Sequence, residues 1–187
     1  MNIFETKLSG VIIIVPRRFG DDRGWFSETW NQKALRDAGV DLNFVQDNHS
    51  MSANKGTVRG LHFQSPPHAQ DKLVRATCGC LLDVVVDIRK GSPTCGQWVS
   101  EELSAENGKQ LLVPKGFLHG FATLTENTEV QYKCTDFYAP ECDGNVYFND
   151  PDLDIDWGID VNKAILSDKD AAAPLLKNFN SPFEFEG

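Results

Sequence analysis

The sequence runs to 187 residues and is 41% hydrophobic, enough for one domain with a buried core and too apolar for a disordered chain. Its formal net charge is −9 and no basic run exceeds Arg17-Arg18, which argues against nucleic-acid binding, because that affinity rests on many Lys and Arg contacts to phosphate. The apolar run at 11–15 is far too short to span a bilayer, and residues 1–7 lack a basic leader and a long apolar stretch, so a cytoplasmic protein without membrane contact is expected.

No repeat or low-complexity linker divides the chain, so a single domain over 1–187 is expected. Segments rich in strand formers fall at 11–15 and 25–29, between Gly, Pro, Asn and Asp. Residues 31–39, with Asn31 as a cap and Gly39 as a stop, read as one helix in the N-terminal half. Strands resume at 44–46, 73–77 and 81–88, and the last is apolar except for Asp83 and Asp87, as in a strand covered on both faces. Residues 110–113 and 128–133 follow, and alternation in the latter aims Val130 and Tyr132 at the same face. A second short helix follows Ser167. Many short strands with turn signals predict an all-β jelly-roll barrel with a helical C-terminal tail and a ligand site in its mouth. Asp150, Asp152, Asp154 and Asp156 lack the Gly of a calcium loop and read as strand-edge alternation. Five cysteines without a CxxC pair fit reduced thiols better than a zinc or disulfide framework.

Gly108, Pro114, Gly116 and His119 fall in the spacing G-x5-P-x-G-x2-H, which resembles the second motif of the cupin superfamily and makes the barrel cupin-type. Metal-binding cupins carry an earlier HxH. Here that stretch is Arg59-Gly-Leu-His62-Phe-Gln64, with a poor transition-metal ligand in the second histidine position, so no metal and no cofactor is expected. The alternative is a metal-dependent oxygenase or isomerase using His62, His68 and His119.

A longer series of blocks is more specific. Phe19-Gly-Asp-Asp-Arg23-Gly-Trp-Phe-Ser-Glu28, Phe44-Val-Gln46-Asp-Asn48, Arg59-Gly-Leu-His62, Gln70-Asp-Lys72, Val84-Val-Val-Asp87-Ile-Arg89, Pro114-Lys-Gly-Phe-Leu-His119, Tyr132-Lys and Tyr138-Ala-Pro occur in this order. Over about residues 3–175 they resemble the dTDP-4-dehydrorhamnose 3,5-epimerase family. The resemblance implies a metal-free isomerase that inverts C3 and C5 of dTDP-4-dehydro-6-deoxy-D-glucose, giving dTDP-4-dehydro-L-rhamnose in dTDP-L-rhamnose synthesis. It also implies a homodimer, formed through an exposed N-terminal strand. On the same ground His62 and Asp170 are the catalytic dyad, Tyr132 the proton donor and Lys72 the oxyanion partner, with His119 beside the sugar. Arg23, Arg59 and Lys169 meet the diphosphate; Glu28, Gln46 and Asn48 meet the nucleoside end; Tyr138 stacks on thymine. Asp143 stands where the family usually has Glu, one methylene shorter.

Chemistry gives these assignments independent sense. A proton beside a ketone is removable when a base is close and the enolate oxygen is stabilised, and inversion needs a second group on the opposite face. Histidine has a suitable pKa, and a carboxylate can orient its ring. Plainer readings compete. His119 holds a turn, Tyr132 packs a strand, Arg23 makes a surface ion pair, and Ser167-Asp-Lys-Asp170 is a helix capping box that occupies Asp170. At the level of function the competitors are an epimerase that inverts one centre only and a sugar-binding module without catalysis.

Overall fold

A computed structural model describes residues 1–186; the last residue of the expected domain, Gly187, lies outside the described residues. In chain order the elements are β1 (Asn2–Glu5), β2 (Ile12–Val15), β3 (Arg18–Asp21), β4 (Gly24–Ser27), α1 (Gln32–Asp37), β5 (Gln46–Ser52), β6 (Val58–Gln64) and β7 (Lys72–Cys78). Then come β8 (Cys80–Asp87), β9 (Trp98–Ser104), β10 (Gln110–Val113), β11 (Phe117–Thr123), β12 (Thr128–Cys134), β13 (Asp143–Asn145) and α2 (Asp168–Ala171). Six strands form one antiparallel sheet, in the order β1-β2-β10-β7-β12-β5. Five form a second, β13-β6-β11-β8-β9, and β3 with β4 makes a separate hairpin.

The period-two pattern of the sequence sets the layers. Val74, Ala76, Leu111, Val113 and Val130 of the six-stranded sheet pack with Leu81, Val85, Leu103, Phe117 and Phe121 of the five-stranded sheet in one core between them, with Tyr132 at its margin. The alternate residues of β8, Val84 and Val86, face the other way. They are covered by Val146, Phe148, Leu153, Ile155 and Trp157 from beyond β13, which explains the near-continuous apolar run at 81–88. On the far side of the six-stranded sheet, Leu35 of α1 packs on Ile14, Leu73 and Leu112. The Asn31 side chain caps α1 by accepting from the Ala34 N–H, as the sequence predicts.

Several expectations need correction. The tail is not helical: among the described residues beyond β13 it has only α2 and the 3₁₀ turns Val161–Lys163 and Leu176–Asn178. Its apolar residues recur at every second position, at 153, 155 and 157, which suits an extended chain laid over a sheet better than a helix. The jelly-roll expectation is met only as two facing sheets, since no described strand pairing joins one to the other. Residues 150–156 form turns and irregular chain instead of a strand edge, and Asp150 accepts from the N–H groups of Asp152 and Leu176. The strand expected at 44–46 begins at Gln46 and continues to Ser52.

Two local devices fix β11. Gly60 of β6 and Gly120 of β11 meet so closely that a Cβ on Gly60 would lie 2.5 Å from the Gly120 Cα, and one on Gly120 would lie 2.9 Å from the Arg59 carbonyl oxygen. Gly60 also has φ +136°, which disfavours any other residue there. At the start of β11, Arg89 lies 4.3 Å over the Phe117 ring and is pinned by the fully buried Asp87. Burial raises the Asp87 pKa, but hydrogen bonds from the Arg89 side chain and N–H, Ser92 and Thr94 outweigh it and leave it at about 2. The group therefore stabilises the fold fully above its unfolded pKa of 3.8, and that contribution is lost as pH falls through about 2. Asp87→Asn should lose at least about 2 kcal/mol at neutral pH and flatten the acid limb of stability between about pH 4 and pH 2, read by urea unfolding across pH.

Candidate active site

A cavity of about 420 Å³ opens at one end of the two sheets. Arg59 and His62 enter it from β6, Lys72 from β7, His119 and Phe121 from β11 and Tyr132 from β12; Ser167, Lys169 and Asp170 close one wall from α2 and its cap. His62 and His119 are cross-strand partners on β6 and β11, so the antiparallel register delivers two imidazoles side by side.

His62 Nε2 lies 2.5 Å from Asp170 Oδ1, and Asp170 is 3% exposed. Burial raises the Asp170 pKa, but the His62 hydrogen bond and charge, Ser167 and the Gly60 N–H together hold it below the usual carboxylate range. The helix cap and the His62 contact coexist. Ser167 Oγ accepts from the Asp170 N–H at 3.1 Å and caps α2, leaving the carboxylate to His62. His119 has its own acid: Nε2 lies 2.6 Å from Asp83 Oδ1 of β8, and both residues are buried.

Tyr132 and Val130 face the same way, as alternation predicts, and burial pushes the Tyr132 hydroxyl pKa up, joined by Cys134 and opposed by Arg59. Burial pushes the Lys72 pKa down, against the charges of Cys134, Asp143 and Asp83, which raise it. Arg59 Nε donates to Ser52 Oγ at 3.3 Å.

Four more predicted residues form a connected set that reaches the cavity lining through Lys169. Gln46 Nε2 donates to Asn48 Oδ1 at 3.1 Å, and Gln46 Oε1 accepts from the Tyr138 N–H at 3.0 Å. The Tyr138 hydroxyl donates to Asp143 at 3.4 Å, and Asp143 pairs with Lys169. Tyr138 is 60% exposed, free to meet a planar ligand. Arg23 and Glu28 are not brought to the cavity. Arg23 projects from the β3–β4 hairpin with its side chain 88% exposed and paired to Asp21, and Glu28 accepts from Asn31 at 2.9 Å.

The donor set does not suit a metal. Gln64 donates from Nε2 to the carbonyls of His68 and Phe137 and accepts from the Ala139 N–H, which makes it a backbone clip. His68 turns away to Asp136 at 3.2 Å, and no group of three or more possible ligands gathers among the described residues. No helix among them is long and apolar enough to cross a membrane. Sequence reasoning missed Asp83 as a site residue. Its signal was an acid in the middle of the apolar run at 81–88, which in a two-sided buried strand must find a partner.

Residues 5–178 match the family model described as dTDP-4-dehydrorhamnose 3,5-epimerase. A curated protein of that description from Pseudomonas aeruginosa is 55% identical over 171 residues, covering 91% of this chain and 93% of its own. A solved dTDP-6-deoxy-D-glucose-3,5-epimerase from Legionella pneumophila, in complex with dTDP-4-keto-L-rhamnose, superposes with a TM-score of 0.94 at 45% identity, covering 100% of this chain and 99% of that one. A dTDP-4-dehydrorhamnose 3,5-epimerase from Bacillus anthracis, with TDP and PPi bound, gives a TM-score of 0.91 at 50% identity and covers 94% and 99%.

The depressed pKa of Lys72 means that its charge opposes folding, since the unfolded chain holds that proton more tightly. Lys72→Met should therefore melt no lower than the wild type and be about 0.5–2 kcal/mol more stable, as judged by thermal unfolding at neutral pH.

Proposed function

The chain belongs to the dTDP-4-dehydrorhamnose 3,5-epimerase family and is an isomerase, and from that premise we propose that it works by metal-free acid–base catalysis at the cavity between its sheets. The substrate is dTDP-4-dehydro-6-deoxy-D-glucose, inverted at C3 and C5 to dTDP-4-dehydro-L-rhamnose. The observation that carries the mechanism is the short His62–Asp170 pair in one cavity with Tyr132 and Lys72. His62 takes the proton at C3 or C5; the C–H electron pair passes into an enolate whose oxygen, at C4, is met by the Lys72 ammonium. Asp170 holds the ring and supports the imidazolium. Tyr132 returns a proton from the opposite face, and a phenol whose pKa is raised by burial keeps its proton until it is needed. Gln64, occupied at both ends of its amide, supports a reading without metal.

The rim suits the nucleotide. Arg59 and Lys169 offer charge to the diphosphate, Arg with a planar fork that matches phosphate oxygens. Tyr138 offers its exposed ring to thymine, and Gln46 and Asn48 lie next to it on β5. Asp143 reaches Lys169 and Tyr138 in spite of its shorter side chain. In this reading the chain is one domain over 1–187, of the cupin jelly-roll kind, cytoplasmic and homodimeric. Arg23 and Glu28 then act in a second subunit's cavity. The hairpin that carries Arg23 exposes Phe19, Trp25 and Phe26 at 51%, 59% and 70%, and β1 leaves a sheet edge free for pairing.

Two experiments test this. Tyr132→Phe keeps the base, its partner and the ring, so in deuterated water it should admit solvent deuterium at C3 and C5 with retained configuration while inverted product falls at least about 100-fold. Near-normal inversion, read by proton NMR, removes Tyr132 from the mechanism; product inverted at one centre only makes the wild-type protein a single-centre epimerase. For the dimer, His62→Ala and Arg23→Ala proteins, each impaired alone, should regain activity when unfolded and refolded together. A mixed dimer would hold one intact site if Arg23 serves its partner, and no recovery places Arg23 and His62 in the same site.

A further inference from the structure

β8 buries two carboxylates, and they are treated very differently. Asp87 is saturated by Arg89, Ser92 and Thr94. Asp83 is equally buried, at 0% exposure, yet only its Oδ1 is bonded, to His119 Nε2 at 2.6 Å. Its Oδ2 is buried with no hydrogen-bond partner among the described residues. It points inward with Leu81 and Val85 of the same strand, where a leucine would pack without any polar cost. A carboxylate kept in that place is better explained by the cavity than by the core.

The geometry narrows what it does there. His62 and His119 face each other across β6 and β11, and each leans on its own acid, Asp170 from α2 and Asp83 from β8. An imidazole beside a carboxylate donates its N–H to it, so Nε2 of His119 carries a proton. Nδ1 is the ring nitrogen left to address the cavity, and it makes no hydrogen bond among the described residues. Asp83 also belongs to the anionic surroundings of Lys72.

We propose that Asp83 is a positioning residue for the epimerisation: it fixes His119 with Nε2 protonated and supports positive charge on the ring, so that Nδ1–H is a second donor, beside Lys72, to the C4 oxygen. This rests on the function assigned above and deepens it. As His62 takes the proton from C3 or C5, the electron pair moves onto the C4 oxygen, which then accepts from the Lys72 ammonium and the His119 Nδ1–H. His119 transfers no net proton. The other titratable and charged groups facing the pair are His62 and Arg59 from β6, Lys72 from β7, Tyr132 and Cys134 from β12, Asp143 from β13, and Lys169 and Asp170 from α2. Asp83 is one of the anionic groups that help Lys72 keep its proton, so its loss is felt by that cation.

Asp83→Asn keeps the side-chain volume and an oxygen for His119 while removing the charge. Wild-type protein must first convert the dTDP-4-keto sugar; if it neither exchanges nor inverts that substrate, the assigned function fails, and no variant is informative about Asp83's part in it. Given wild-type turnover, Asp83→Asn should bind dTDP within about twofold of wild type and lose about 100-fold in kcat. The alkaline limb of its kcat profile should move to lower pH, because Lys72 releases its proton more readily without an anionic neighbour. A kcat within threefold of wild type, or an alkaline limb that does not move, overturns the proposal. If Asp83→Asn does not fold, nitrogen-15 histidine spectra of the wild-type protein decide. A protonated Nε2 on His119, with an Nδ1 resonance that shifts when the 4-keto sugar is added, supports it; a proton on Nδ1 with Nε2 bare overturns it.

Discussion

The backbones of β6 and β11 touch at Gly60 and Gly120, and the cavity has its present form because nothing larger than hydrogen fits between them. That contact lies one residue from His119 and two from His62, so it sets how the two imidazoles stand. It also brings the Gly60 N–H to the Asp170 carboxylate, where it helps to keep that group ionised. The register slips between His119 and Phe121, next to the same contact, and an irregularity there re-aims side chains that regular pairing would direct elsewhere. A glycine pair, chemically inert, is thus what the placement of the two imidazoles rests upon.

Charge is distributed against the average. The chain carries a net −9, yet Arg59, Lys72 and Lys169 gather at the cavity. Part of that positive charge is already met from within, Lys169 by Asp143. An anionic ligand therefore enters a site whose positive charge is compensated only in part. Local charge decides what binds, while the acidic surface sets solubility and disfavours polyanions.

The sequence was most readable where one rule governed alone. Residues 110–113 were predicted to the residue, because four apolar-dominated positions between a polar loop and a proline leave no other choice. The helix at 31–39 is present, trimmed to its hydrogen-bonded turns. By contrast β6, β9 and β11 were not recognised as strands, since Gly60 and Gly120 interrupt the first and last and Glu101 and Glu102 break the alternation of β9. The tail was misread because its helix signal is local, whereas its conformation follows from the sheet face it covers. At the site, the residues singled out by the family resemblance, His62, Lys72, Tyr132 and Asp170, line one cavity. They gave no warning that Arg23 and Glu28 lie apart from it, because sequence order carries no distance. Asp83 was overlooked for a related reason: its meaning comes from β11, two strands' worth of chain away.

Asp170 stands 108 residues after its histidine, in a stretch that lies over the outer face of the five-stranded sheet. Both sheets are complete in the chain by Asn145, before α2 has been made. During synthesis the ribosome therefore releases every strand of the scaffold first, then the segment 146–157 that seals Val84 and Val86 from water, and last the carboxylate that holds His62. Pairing of His62 follows closure of the core, so a nascent or clipped chain that lacks everything beyond β13 would hold His62 without its carboxylate in an unsealed fold.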